Sequence, residues 1–224
     1  MHIPDGFIDL QTSALFAGGS VIGVGAALRG ARKELNDKSA PLAGLTAVFI
    51  FAVQMLNFPV GAGTSGHLLG GALAAVLVGP WAATLALTVV LLMQAFLFAD
   101  GGLSAIGLNV FNMAIIGVWV GYGVYLIVKR LLPKRRASIA LAGAIGGFIS
   151  VPAAAFGFVV QYALGGNATF SLTSVLTAMI GTHIVIGIGE ALITGLTISA
   201  IMASRSDLVY GWKKNETKLV IKEI

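Results

Sequence analysis

The chain has no cysteine. That excludes a disulfide framework and a thiolate metal site, so any metal ligands must be nitrogen or oxygen. Charge is nearly as scarce. Asp, Glu, Lys and Arg make up 10% of the 224 residues, against about a quarter in ordinary soluble domains. A water-soluble core of this size needs a polar shell that this composition does not supply. Residues 1–12 contain no lysine or arginine, so the basic start of a cleavable signal is missing and the N-terminus is expected to be retained. No Gly-x-x-x-x-Gly-Lys-Ser/Thr loop occurs, so the chain is not expected to drive any process with ATP on its own.

What is present is apolar. Hydrophobic residues account for 57%, glycines number 30, and the mean hydropathy is +0.94, which together imply an all-α, polytopic integral membrane protein. Seven transmembrane spans are expected. The first four cover 15–28, 41–56, 67 to about 78 and 81–98. The next two cover about 104–128 and about 139–164, the latter kinked by Pro152. The last apolar region, 172–203, is expected to break at Gly181 into a short re-entrant or surface helix and a full span. The stretch 57–66 reads as an irregular glycine-rich loop. All 14 Lys and Arg residues follow odd-numbered spans: Arg29, Arg32, Lys33 and Lys38; Lys129, Arg130, Lys134, Arg135 and Arg136; Arg205, Lys213, Lys214, Lys218 and Lys222. Such a bias marks the cytoplasmic side. The N-terminus, the 57–66 loop, the Asp100 loop and the 165–170 loop are therefore expected outside, with the C-terminus cytoplasmic. The net charge of +5 is then topological, and nucleic acid is excluded as a partner. The expected organisation is one membrane domain, 1–204, with residues 1–12 part of a metal site, and a cytoplasmic tail, 205–224.

The most specific chemistry sits at the start, Met1-His2-Ile3-Pro4-Asp5-Gly6-Phe7. Three nitrogens follow in series: the α-amine, the His2 amide nitrogen and the His2 imidazole nitrogen nearest Cβ. A metal that displaces the amide proton closes a five-membered ring and a six-membered ring, both relaxed and coplanar. The terminus is then a tridentate planar claw, and tetragonal nitrogen sites favour Ni(II) and Cu(II). Pro4 has no N–H and cannot extend the claw. The bulk of His2 is expected to keep the initiator Met in place. The alternative is a Met-His start with no chemical role. His67, expected on the same outer side, offers the one in-plane ligand that the claw lacks. Its alternative is a helix-start histidine bonded to a loop carbonyl.

Other polar residues stand out against the apolar background. His183 and Glu190 lie two turns apart on one helix face, and ionisable groups within a span are functional candidates. Glu190 fits an ion or proton relay or a structural hydrogen bond. His183 fits support of metal ligands or a core histidine. Asn109 and Asn112 share nearly one face at the outer end of the fifth helix. Together with Asn57, Ser65 and His183 they are candidates for supporting the ligands or gating access. Asp5 and Asp100 are outward carboxylates that attract cations or cap loops.

Met1-His2-Ile3-Pro4-Asp5-Gly6, Gly63-Thr64-Ser65-Gly66-His67, Gly79-Pro80-Trp81-Ala82, Gly101-Gly102 and Asn109-Val110-Phe111-Asn112-Met113-Ala114 together resemble the CbiM/NikM-type substrate-binding (S) subunit of energy-coupling factor (ECF) nickel/cobalt transporters. The resemblance runs through Gly195 and leaves 205–224 uncovered. It implies a seven-helix transport subunit, not an enzyme, whose N-terminus folds into the bundle from outside. Ni2+ or Co2+ is the implied transported substrate, with no catalytic cofactor. The implied square-planar site uses the Met1 amine, the His2 amide and imidazole, and the His67 imidazole. The implied partners are a transmembrane coupling (T) subunit, two cytoplasmic ATPase subunits, a small accessory membrane subunit and the lipid bilayer. The implied location is a bacterial or archaeal cell (inner) membrane, in the context of cobalamin biosynthesis or nickel enzymes. The Met-His-Ile-Pro-Asp-Gly start leans towards the nickel branch. Two other functions compete: an ion-coupled secondary transporter centred on Glu190, and an intramembrane hydrolase using Ser65 and a histidine.

Overall fold

The structure is a computed structural model that describes residues 1–35, 39–60 and 64–212. Lys38, Gly63, Lys213, Lys214, Lys218 and Lys222, named above, lie outside the described residues. The described residues form seven helices and one small hairpin. Helix α1 (Leu10–Glu34) and α2 (Ser39–Gln54) come first. The antiparallel strands β1 (Phe58–Val60) and β2 (Thr64–Gly66) replace the irregular loop expected at 57–66. Then follow α3 (Gly71–Val78), α4 (Pro80–Phe98), α5 (Ile106–Leu131), α6 (Arg136–Gly165) and α7 (Leu172–Ser204). Helices α1, α4, α5, α6 and α7 are each long and apolar enough to cross a bilayer. Their outward side chains include Val21, Val185 and Leu196, which are 73%, 67% and 70% exposed. Such a surface is costly against water and ordinary against hydrocarbon.

Helix α3 is the hub. All eight of its residues are buried, and it packs against α2, α4, α5, α6 and α7. Eight residues rise only about 12 Å, too little to cross the roughly 30 Å hydrocarbon layer alone. The expected third helix is thus corrected: it begins at Gly71, and His67 lies in a non-helical segment ahead of it. Gly70 sets this boundary. Its φ of 75° is left-handed, and a side chain there would press on Ile50 of α2.

A second correction concerns α7, one unbroken helix of 33 residues without a break at Gly181. A Cβ at Gly181 would meet nothing within 4 Å, so the residue sits on an open face. One glycine costs a helix about 1 kcal/mol, less than leaving backbone groups unpaired in hydrocarbon. Helix α5 contains a π-helical stretch, Val110–Gly117, that the sequence pattern does not announce. Wider turns of this kind re-aim side chains, and the two asparagines that flank its start engage different neighbours, as described below.

The first nine residues are packed into one end of the bundle. Asp9 N donates to Gly165 O at 2.7 Å and Asn167 N to Phe7 O at 3.0 Å. The Phe7 ring packs among Phe158, Tyr162 and Phe170. Asp9 caps α1, its side chain accepting from Thr12 N at 2.7 Å. Met1 and Ile3 are wholly buried. Past α7, Tyr210 N donates to Val76 O at 2.9 Å, which ties the segment after α7 to the far end of α3.

Candidate metal centre

The N-terminal segment is held in place mainly by its backbone. Ile3 N donates to Asn109 Oδ1 at 2.8 Å, and Asn109 Nδ2 donates back to Ile3 O at 3.2 Å. Gly102 N donates to the same carbonyl at 2.8 Å. Asp5 Oδ1 accepts from Ser104 N and Oγ at 2.7 and 2.6 Å, which keeps its carboxyl below the usual range. A side chain on Gly102 would collide with the backbone of Pro4 and Asp5.

This path delivers Met1 and His2 into a dry pocket against His67. His2 is 4% exposed and Met1 and His67 are fully buried. The His2 and His67 rings lie 4.7 Å apart with planes inclined at 33°. Burial strips protons from the terminal amine and from His2. It takes the Met1 ammonium from 8.0 down to about 4, against an opposing pull from Asp100. His2 is lowered by burial and then by the terminal charge. At neutral pH the Met1 amine and the His2 imidazole are therefore uncharged, each with a lone pair.

Tautomers follow from the neighbours. His67 Nδ1 lies 2.8 Å from Leu68 O. A carbonyl only accepts, so Nδ1 carries the hydrogen and Nε2 keeps its lone pair. That Nε2 is buried with no partner among the described residues. On His2, Nε2 lies 3.5 Å from Asp100 Oδ2, and the same oxygen accepts from Asn57 Nδ2 at 3.0 Å. The other edge of the ring faces Gly101, where a Cβ would come within 2.9 Å of Nδ1. Glycine leaves that nitrogen room. Among the described residues no three His, Asp or Glu side chains converge as a metal cluster. An ion placed here would have two imidazoles and would draw its remaining donors from the backbone and the terminus.

The segment carrying His67 is fastened from three helices. Glu190 of α7 accepts from Leu69 N at 2.8 Å and Gly70 N at 2.7 Å. Gln54 Nε2 of α2 donates to Leu69 O at 2.7 Å, and Gln94 Nε2 of α4 donates to Gln54 Oε1 at 3.0 Å. Both Glu190 oxygens are thus engaged with backbone, the structural alternative for this residue. His183 Nδ1 meets Met179 O at 2.6 Å, and its buried Nε2 has no partner among the described residues. Asn112 lies outside the group: it exchanges hydrogen bonds with Gln161 of α6 at 2.7 and 3.0 Å. Ser65 sits in β2 opposite Pro59. His67 bonds through Nδ1 to Leu68 and not to Ser65, so no nucleophile–base pair forms there.

Residues 2–208 match the family described as "CbiM: Cobalt uptake substrate-specific transmembrane region". The chain belongs to this family. It is similar to a Haloquadratum walsbyi protein with a provisional metal-transport name, at 41% identity over 212 residues and 94% of each chain. It is also similar to the fused nickel transport protein NikMN of Rhodobacter capsulatus, at 35% identity over 93% of this chain and 64% of that protein. A crystal structure of a transition metal transporter superposes with a TM-score of 0.83 and 36% identity, over 91% of this chain and 93% of that one. This CbiM-family chain is accordingly a membrane component of cobalt or nickel uptake.

Sequence reasoning about this CbiM-family chain missed the pairing of Asp100 with His2 and the roles of Gln54 and Gln94. Amide side chains inside apolar spans were the available signal, since such groups persist only where they find partners. Replacing Asp100 with Asn removes the carboxylate facing His2 Nε2. Groups that orient a ligating histidine contribute 10- to 100-fold to metal affinity. Asp100→Asn is expected to weaken nickel binding by about that factor without lowering the thermal unfolding temperature, as read by calorimetric titration and a melting curve.

Proposed function

We propose that the chain is the substrate-capturing S subunit of an ECF-type importer, binding Ni2+ or Co2+ from outside the cell in a square-planar site of four nitrogens. The donors are the Met1 amine, the His2 amide nitrogen and Nδ1, and His67 Nε2. The observation that carries this reading is the burial of the terminal residue with two adjacent imidazoles, His67 Nε2 having no partner among the described residues and His2 Nε2 facing the Asp100 carboxylate. Asn57 and Asp100 orient His2, Asn109 anchors the segment behind it, and His183 supports the ligand set from α7. The nickel and cobalt names among the relatives support the choice of ion. The Met-His-Ile-Pro-Asp-Gly start leans towards nickel.

The bundle crosses the inner membrane of a bacterial or archaeal cell seven times, with the segment 67–70 and α3 together making the third crossing. The metal centre faces outward. Arg32 and Lys33 in the last turn of α1, the cations around the α5–α6 connection and Arg205 after α7 lie at the opposite end, in keeping with a cytoplasmic face. In this reading a coupling T subunit and two ATPase subunits drive delivery across the membrane.

Proton release tests the donor set. Coordinating the His2 amide displaces one proton. An amine with its ordinary value of 8.0 would release a second below pH 8, but burial has already lowered it to about 4. Between pH 6 and 8 nickel affinity is therefore expected to rise about tenfold per pH unit, the signature of one proton. Titration calorimetry in buffers of different ionisation enthalpy counts the protons directly, and nickel K-edge absorption reads the geometry. Zero protons released, or a six-coordinate oxygen-rich spectrum, rejects the proposed site.

A further inference from the structure

At the end of the bundle opposite the metal centre, a cavity of about 820 Å³ opens where α5 gives way to α6. Among the described residues its lining includes Lys129, Arg130, Lys134 and Arg136 and no carboxylate. None of the four cations forms an ion pair among the described residues, whereas Arg205 is paired with Asp207 at 2.8 Å. Four like charges around one hollow repel each other, and an anionic occupant relieves that repulsion. Apart from Ser138, the remaining side chains of the wall are apolar, with Leu126 and Ile139 from the helices and Trp212 from the segment after α7. An occupant that satisfies both walls has an anionic head joined to an apolar body.

The location agrees with that chemistry. Lys129 and Arg130 occupy the last turn of α5, next to Leu131, which is 79% exposed. Arg130, Lys134 and Arg136 are themselves exposed. Cations and a tryptophan at the end of an apolar span mark the water–hydrocarbon boundary.

We propose that this cavity binds an anionic phospholipid, its phosphate among Arg130, Lys134 and Arg136 and its acyl chains against Leu126 and Trp212. Basic pockets between spans are suited to such headgroups. Because Trp212 follows Tyr210, which is bonded to Val76 of α3, a seated lipid also braces the segment after α7 against the bundle.

Native mass spectrometry of the full chain, released from bilayers of equal parts phosphatidylglycerol and phosphatidylcholine, tests this. At least one retained phosphatidylglycerol is expected, preferred about fivefold over phosphatidylcholine. The triple variant Arg130→Gln, Lys134→Gln, Arg136→Gln is expected to fall to parity. A variant at Arg29 and Arg32, both changed to Gln at the end of α1 away from the cavity, is expected to keep the preference. If the triple variant does not fold, the exposed Lys134→Gln alone should still halve the preference. Parity in the unmodified protein, or an equal loss on changing Arg29 and Arg32, overturns the proposal. Displacement of the lipid by millimolar inorganic phosphate would make this a soluble-phosphate site and also overturns it. So does a photo-crosslinker at position 134 that captures a polypeptide in native membranes and no lipid.

Discussion

Extending the chain by three residues ahead of Met1 is expected to weaken nickel binding by about three orders of magnitude. The extension turns a basic amine into an amide, which binds a metal only after losing a second, weakly acidic proton. It also breaks the five-membered chelate ring, and tethered donors of this kind are worth about 10²–10⁴ in affinity. The pocket has no slack to compensate, because Met1 and Ile3 are wholly buried and Ile3 is bonded to both Asn109 and Gly102. The helices do not depend on the amine, so helical content should remain and the melting temperature should change by a few degrees at most. Calorimetric titration of the extended protein reads the affinity. A subtler variant inserts one glycine between Met1 and His2. The terminus then offers an amine, two amides and an imidazole, four nitrogens without outside help. That variant should bind nickel even when combined with His67→Ala, whereas His67→Ala in the natural sequence should lose most of its affinity. Unchanged binding by the three-residue extension would remove the amine from the site.

Glu190→Gln carries the second large effect and separates the two readings of that residue. The carboxylate accepts from two N–H groups of the segment that carries His67, one buried and one partly buried. An amide can accept from one, but it turns its own NH2 towards the other. A buried donor left without its acceptor costs about 1–3 kcal/mol, so a drop of several degrees in melting temperature is expected. Metal affinity should fall about tenfold, the usual scale for a group that holds a ligand in position. Both losses should shrink in a variant that restores an acceptor to the loop. If uptake stops while affinity and melting temperature stay at their original values, Glu190 is acting in ion translocation and not in positioning.

Much of this was legible in the residues, for identifiable reasons. The Met-His start is a local chelate whose ring sizes depend only on covalent geometry, and its chemistry can be written down without a fold. The apolar runs of α1, α4, α5 and α6 announced themselves because hydrocarbon demands about 20 apolar residues in a row. The errors fell where neighbours override local preference. Helix α3 starts four residues late because Gly70 adopts a left-handed conformation against Ile50. Helix α7 runs through Gly181 because nothing else can pair its backbone. The π-helical stretch separates Asn109 from Asn112, which a regular helix would have placed on one face.

Composition and covalent chemistry therefore determined on their own that this is a membrane protein with nitrogen donors at its start. Only the tertiary structure decided that those donors meet His67, that Asp100 stands behind His2, and that Glu190, Gln54 and Gln94 hold the floor of the pocket. The reason is physical. A donor's identity resides in its own bonds, but its proton count and aim are set by burial and by partners that come from helices far apart in the chain.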